Sequence, residues 1–157
     1  MVTMRIKPYQ FTAAAYIVHS NKVLLVKHRK LGKWLPPGGH IEQNEEGYFV
    51  EAPEEAAVRE VKEETGVDVE IVGRKMETGS PVRTLFLPED MHVHYIDEKH
   101  DHLGIDYFCK VKGDLRETKG DEEFRWFSEE ELDATEIGED VKEKAKKALR
   151  QLKRTSP

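Results

Sequence analysis

Apolar residues along the chain fall into short runs divided by polar turns, and their spacing changes from one segment to the next. Phe11 to Val18 is a mostly apolar run of the length of a central strand. Val23 to Val26 follows after the polar turn Ser20-Asn21-Lys22, so the two runs read as a hairpin. Pro36-Pro37-Gly38-Gly39 breaks the alternation; proline lacks the N–H that a ladder needs, and the segment is expected to be a loop. A helix is expected to start near Pro53, a residue suited to the first helical position, with Glu54 and Glu55 favourably placed at its positive end. Gly66 ends it as a left-handed cap would, and Ala57, Val58 and Val61 form its apolar edge.

Val67 to Val72 is a further strand. In the run that follows Asp101, residues Leu103, Ile105, Tyr107, Cys109 and Val111 alternate with Gly104, Asp106, Phe108 and Lys110, the period of a half-buried strand. Phe124 to Phe127 is a short strand before Glu129 to Leu132. Near the carboxyl end Val141, Ala145, Ala148, Leu149 and Leu152 stand at helical spacing, which predicts an amphipathic helix docked on the body. The order β-β-α-β-β-β-α is that of an α/β assembly.

At 157 residues the chain suits one domain spanning 1–157, long enough to bury a real core. Its net charge is −6, from 25 basic and 31 acidic side chains that are interleaved, which argues against a nucleic-acid polymer as partner. The lone Cys109 excludes an internal disulfide and fits a reducing compartment; on an apolar strand it reads as a buried structural thiol. No apolar run approaches the ~20 residues that span a bilayer, and Met1 to Gln10 lacks the apolar centre of a secretion signal. A cytoplasmic protein without a membrane partner is expected.

Glu60, Glu63 and Glu64 stand at i, i+3 and i+4 of the first helix, and at ~100° per residue they share one arc of its surface. Like charges at that spacing cost a few tenths of a kcal/mol when solvated and more when partly buried. A divalent cation would offset this, and hard carboxylate oxygens suit Mg²⁺ or Mn²⁺. The alternative is a plain solvated acidic face. Against it, the arc adjoins the packed edge of Ala57, Val58 and Val61, so one side of the helix packs while the next looks outward into a cleft.

The segment from Glu51 through Arg59-Glu60-Val61-Lys62-Glu63-Glu64-Thr65-Gly66-Val67 resembles the signature of the Nudix hydrolases. That signature is a Gly, five residues, a Glu, seven residues, then Arg-Glu-apolar-x-Glu-Glu-x-Gly-apolar. Trp34-Leu35-Pro36-Pro37-Gly38-Gly39-His40-Ile41-Glu42 is similar to the stretch that precedes it in many members. One departure stands out. Counting from Gly39 the first Glu is Glu45, whereas counting back from Arg59 it is Glu51, so six extra residues lie in the loop around Asn44 to Val50. Glu51 is favoured as the equivalent because its distance to the helix is intact. The added Glu46-Gly47-Tyr48-Phe49-Val50 reads either as a flap over the site or as a packed surface excursion.

The resemblance implies an α/β/α sandwich around a mixed sheet and hydrolysis of a phosphoanhydride bond in a nucleoside diphosphate linked to another group. It implies a Mg²⁺ cofactor, with Mn²⁺ as a substitute, held by Glu60, Glu63, Glu64 and the backbone carbonyl of Gly39. Arg59 would orient Glu63 and Glu51, a role that an ordinary i,i+4 ion pair would also explain. The general base is a box glutamate, Glu64 first or Glu63, or a glutamate on a later loop, where Glu123 ranks ahead of Glu122; solvated turn residues are the alternative reading of that pair. The substrate would be a small nucleotide, and a homodimer is in keeping with the family.

Other features are less specific. His92, His94, His100 and His102 crowd one stretch, expected to be a hydrophilic hairpin or loop near the cleft mouth that helps select the leaving group. Their spacing also suits a transition metal. Trp34, Tyr48, Phe49 and Tyr95 are candidates for stacking on a base, and Lys27, Arg29, Lys30 and Lys33 for attracting phosphate. Pro81 lies near the place where ADP-ribose hydrolases carry a proline. Two competing functions remain. A non-catalytic nucleotide sensor would usually have lost a box glutamate, and all are present; an isoprenoid-diphosphate isomerase would need a cysteine near the glycine segment, and Cys109 is far from it.

Overall fold

The computed structural model describes residues 7–153. Its elements run β1 (Tyr9–His19), β2 (Lys22–Lys27), β3 (Trp34–Leu35), β4 (Gly38–His40), α1 (Pro53–Thr65), β5 (Val69–Val72), β6 (Asp90–Tyr95), β7 (Asp101–Val111), β8 (Glu123–Phe127), α2 (Glu129–Ala134) and α3 (Glu139–Leu152). β1 and β7 form the long axis of a mixed sheet, parallel from Tyr9↔Asp101 to Val18↔Lys110. Every other pairing is antiparallel: β2 and β4 on β1, β5 and β6 on β7, β3 and β8 on β2.

Alternation along β1 assigns the two faces. Ala13, Ala15 and Ile17 pack with Ala56, Ala57 and Val61 of α1, while Tyr16 and Val18 pack with Val141, Ala145 and Leu149 of α3 and with Leu132 of α2. The result is the expected α/β/α sandwich. The small residues Ala13 and Ala15 matter here, because they let α1 sit close to the sheet.

α1 begins at Pro53 and is closed by Gly66 at φ 75°, as its terminal residues predict. The Ala52 N–H donates to Glu55 Oε1 at 3.0 Å, satisfying one donor at the helix entry. Gly120 lies so close to the far end of α1 that a Cβ on it would stand 2.2 Å from the Glu64 carbonyl carbon. The N–H groups of Asp121 and Glu122 donate to the carbonyls of Glu63 and Glu64, both at 3.0 Å. The 119–122 loop is thereby stitched to the helix terminus that carries the acidic arc.

Two expectations from sequence are corrected. Pro36 and Pro37 do form a connection, but Gly38 and Gly39 enter the sheet as β4, opposite Ala14 and Ala13. No side chain fits at Gly38: a Cβ would stand 2.5 Å from the Ala13 carbonyl oxygen. β7 is buried from Gly104 to Cys109 on both faces rather than one, because helices cover both sides. The stretch between β5 and β7, read as a hairpin or loop, supplies β6 as an edge strand. Among the described residues no helix is long and apolar enough to cross a membrane.

Candidate active site

α1 turns its acidic arc toward β4. Glu64 is the most enclosed of the three: its Oε2 accepts the Gly38 N–H at 3.1 Å. Burial pushes its carboxyl up to about 8, and the charges of Glu60, Glu122 and Glu63 push the same way. Glu60 lies against Gly39, where a Cβ would stand 2.4 Å from Glu60 Oε1. Glu63 is half exposed at the outer edge of the arc.

Arg59 gathers the carboxylates. Its guanidinium lies 2.6 Å from Glu51 Oε1, 2.9 Å from Glu60 Oε1 and 3.3 Å from Glu63 Oε1, and it donates to the His40 carbonyl oxygen at 3.1 Å. Hydrogen bonding to Glu51 raises the Arg59 pKa above its usual value, and the same bond holds the Glu51 carboxyl below the ordinary carboxylate range. Glu51, not the exposed Glu45, is the residue that reaches Arg59. It also accepts the Glu42 N–H at 3.0 Å, which closes the loop around the added residues. Those residues form a tight turn in which Asn44 Oδ1 accepts from Glu46 and Tyr48, and Phe49 stacks on Phe11 with centroids 5.3 Å apart. The turn is thus packed on the sheet rather than folded over the acidic arc.

Of the two later glutamates the structure brings Glu122 to the arc and not Glu123. Alternation along β8 sends Phe124 and Trp126 to the α1 side with Glu122, and Arg125 and Phe127 to the other with Glu123, which is exposed. Two adjacent glutamates at a strand entry look alike in sequence; the strand period decides between them. Glu122 Oε2 is the one buried side-chain oxygen among the described residues that accepts no hydrogen bond. Arg29 Nε lies 3.5 Å from it, so one of the four candidate phosphate-binding bases does adjoin the site. Lys27 instead lies over Trp34, and Lys30 and Lys33 are exposed.

Behind β4, on the α3 side of the sheet, is a cavity of about 420 Å³ that Gly38 and Gly39 also line. His40, His92, His94 and His102 form one wall, which sequence placed only as a loop near the cleft mouth. Ring centroids are 4.1 Å apart for His92–His94 and 5.0 Å for His40–His102. Burial lowers the pKa of His94 and His102, and neighbouring imidazoles lower both further. His100 stands outside the cavity, 5.3 Å from His102. At the floor, Lys144 Nζ lies 2.8 Å from Asp106 Oδ2, 2.7 Å from Asp90 Oδ2 and 3.1 Å from His92 Nδ1. Asp90, His92 and Asp106 have the grouping of a metal site, but the Lys144 ammonium takes the place a cation would occupy. Burial opposes that charge, yet the two aspartates outweigh it and raise the Lys144 pKa.

The aromatic candidates are not in the cavity. Trp34 packs edge-on against Phe127, Tyr48 and Phe49 lie on the added turn, and Tyr95 is exposed beneath Lys7. Pro81 is exposed in the connection after β5.

A NUDIX domain model matches residues 8–151. No protein of curated function matches the sequence. Among solved structures, a NUDIX family hydrolase from Clostridium perfringens is 31% identical at a TM-score of 0.76, over 91% of this chain and 97% of that one. A MutT NUDIX hydrolase from Burkholderia pseudomallei is 22% identical at 0.60, over 93% and 99%. An ADP-ribose pyrophosphatase from Streptococcus suis is 22% identical at 0.56, over 90% of each chain. At the lower identities the likeness is one of fold. With the box residues gathered around Arg59 and the domain match covering nearly the whole chain, this protein belongs to the NUDIX family and is a pyrophosphohydrolase of the Nudix type.

Proposed function

We propose that the chain hydrolyses a phosphoanhydride bond in a small nucleotide, a nucleoside diphosphate carrying a further group, with the help of a divalent cation, Mg²⁺ by preference and Mn²⁺ as substitute. One observation carries this reading: the segment Gly38–Gly39 touches the carboxylates of α1 on one side and lines the cavity on the other. A nucleotide lying across β4 would set its diphosphate at the acidic arc and one of its end groups in the cavity.

The residues fit a hard cation on three counts. Glu122 presents a buried oxygen without a partner. Glu64 is crowded by three other carboxylates. Gly39 leaves open backbone beside Glu60 where any side chain would intrude. Glu60, Glu63, Glu64 and the Gly39 carbonyl would hold the ion, with Glu122 as an added ligand or base. When bound it supplies charge neutralisation on the diphosphate oxygens and favours ionisation of a water.

The protein's own groups do the rest. Glu64 has a proton affinity near the working pH, which suits a general base that must both take and give up a proton. Arg59 keeps Glu51, Glu60 and Glu63 in register and so acts by positioning. Glu122 replaces Glu123 as the later-loop candidate, since only Glu122 shares a face with α1.

The test is turnover of a panel of nucleoside triphosphates, ADP-ribose, dinucleoside polyphosphates and nucleotide sugars with Mg²⁺. Release of mononucleotide or phosphate is expected, and Glu64→Gln should lower kcat at least ~10²-fold with the fold retained. Tight nucleotide binding without turnover of any member would replace this reading with a sensor. Wild-type activity in the Glu64 variant would reject the assignment of that residue.

A further inference from the structure

We propose that the free edge of β6 is a homodimer interface, in which two copies pair their β6 strands antiparallel about a two-fold axis at Val93. This goes beyond the hydrolytic reading and does not depend on it. β6 is paired with β7 on one side, and no strand among the described residues pairs with its other side. An open edge presents unpaired N–H and C=O groups, and proteins that keep such an edge out of assembly usually place charge, proline or a bulge on it. β6 has none of these between Met91 and Tyr95.

Its side chains add a second reason. Register puts Met91 beside Ile105, Val93 beside Leu103 and Tyr95 beside Asp101, and the next strand adds Phe11 beside Leu103 and Tyr9 beside Asp101. These residues share the α1 face but lie beyond the helix. Met91 is 57% exposed, Val93 53%, Tyr95 66% and Tyr9 51%, and Phe49 of the added turn extends the surface by stacking on Phe11 at 46% exposed. Together they leave roughly 600 Å² of apolar side-chain surface open, at the top of the range for a monomer and, with a polar rim, close to the ~800 Å² per partner of a stable complex.

The occupant is argued from self-complementarity. A two-fold axis at Val93 sets Met91 against Tyr95 of the partner subunit and Asp90 against Ile96 of the partner subunit, so no two like carboxylates meet. His92 faces His94 of the partner subunit, and the His94 pKa is lowered, which keeps that pair from repelling at neutral pH. The same patch on both copies closes the assembly at two, as an isologous contact must.

Sedimentation equilibrium or light scattering on the full chain at micromolar concentration tests this. Wild type should show twice the monomer mass. Val93→Lys, at an exposed position whose change leaves both cores intact, should give the monomer mass with an unchanged circular dichroism spectrum. Met76→Lys, exposed but off the patch, should remain dimeric. Val93→Cys should cross-link to its own copy on mild oxidation, since antiparallel partners lie ~4.5–5.5 Å apart at Cα, within disulfide reach, and the only native thiol, Cys109, is buried. A monomeric wild type, a dimer that survives Val93→Lys, or a Val93→Cys variant that forms no covalent dimer would each overturn the proposal.

Discussion

Replacing Arg59 by Met should loosen the loop between β4 and α1 and destabilise the whole fold by a measurable amount. The guanidinium serves four carboxylates: Glu51 at 2.6 Å, Glu60 at 2.9 Å, Glu63 at 3.3 Å and Glu42 at 3.7 Å. Only the first is well enclosed, with side-chain exposures of 24% for Arg59 and 12% for Glu51. Solvated pairs contribute under ~1 kcal/mol, whereas stripping the partner from a buried charge costs ~3–5 kcal/mol. At this intermediate burial, with two hydrogen bonds to one carboxylate, the loss should be ~2–3 kcal/mol. For a chain of this size that is a fall in Tm of roughly 4–10 °C.

Thermal denaturation in a double-mutant cycle with Glu51→Gln separates the pair from the rest of the cluster. The expected coupling is ~1.5–2.5 kcal/mol, in the range for residues in direct contact. It also carries a pH signature. The Glu51 carboxyl is held below its ordinary value of 4.5, so the pair's contribution is full above that pH and is lost as pH falls toward the lowered value. A fall in Tm under ~2 °C, or a coupling below ~0.5 kcal/mol, would show that Arg59 is a solvated residue and that something else holds the loop.

Three further outcomes follow from the same geometry. Glu64 takes up its proton more readily in the folded chain (about 8 against 4.5), so without divalent ions stability should decline as pH rises from ~4.5 to ~8. Tm against pH in chelator should show this decline in wild type and a shallower one in Glu64→Gln; equal slopes would sink it. Gly39→Ala puts a Cβ 2.4 Å from Glu60 Oε1, and displacement of that carboxylate should lower kcat/KM about 10²-fold while the circular dichroism spectrum is kept; unimpaired turnover would mean Glu60 has room to move. Lys144→Met leaves Asp106, whose side chain is 5% exposed, without its cation, and chemical denaturation should register a loss of about 3 kcal/mol; a loss under ~1 kcal/mol would show that water or a proton replaces the ammonium readily.

The fold was largely legible because its signals are local. Pro53 and Gly66 bracket α1, and the period of the apolar residues from Val141 to Leu152 defines α3, both within two residues of the observed ends. The acidic arc was legible for the same reason, since helix geometry alone groups Glu60, Glu63 and Glu64. What sequence spacing does not carry is the other side of each contact. The choice between Glu122 and Glu123 depends on where β8 enters the sheet, and the stitching of Asp121 and Glu122 to the end of α1 is a long-range event. The histidine wall was visible as composition, yet its position needs the parallel pairing of β1 with β7, the one crossover in the sheet.

The glycine segment shows why the most conspicuous loop signal in the chain was misleading. Two prolines followed by two glycines are poor strand formers by propensity, but propensity in sheets mostly measures how side chains pack on neighbours. At β4 there is nothing to pack, because the space is already taken by the Ala13 carbonyl on one strand and the Glu60 carboxylate on the helix. The ladder to β1 then fixes Gly38 and Gly39 in the sheet itself, with backbone groups held in place rather than left on a mobile turn. Fixed backbone is what a diphosphate site needs: the Gly38 N–H already binds Glu64, and the same two residues bound the cavity behind. The absence of side chains at two adjacent positions therefore joins the acidic arc to the cavity, and any substitution there should separate them before it unfolds the protein.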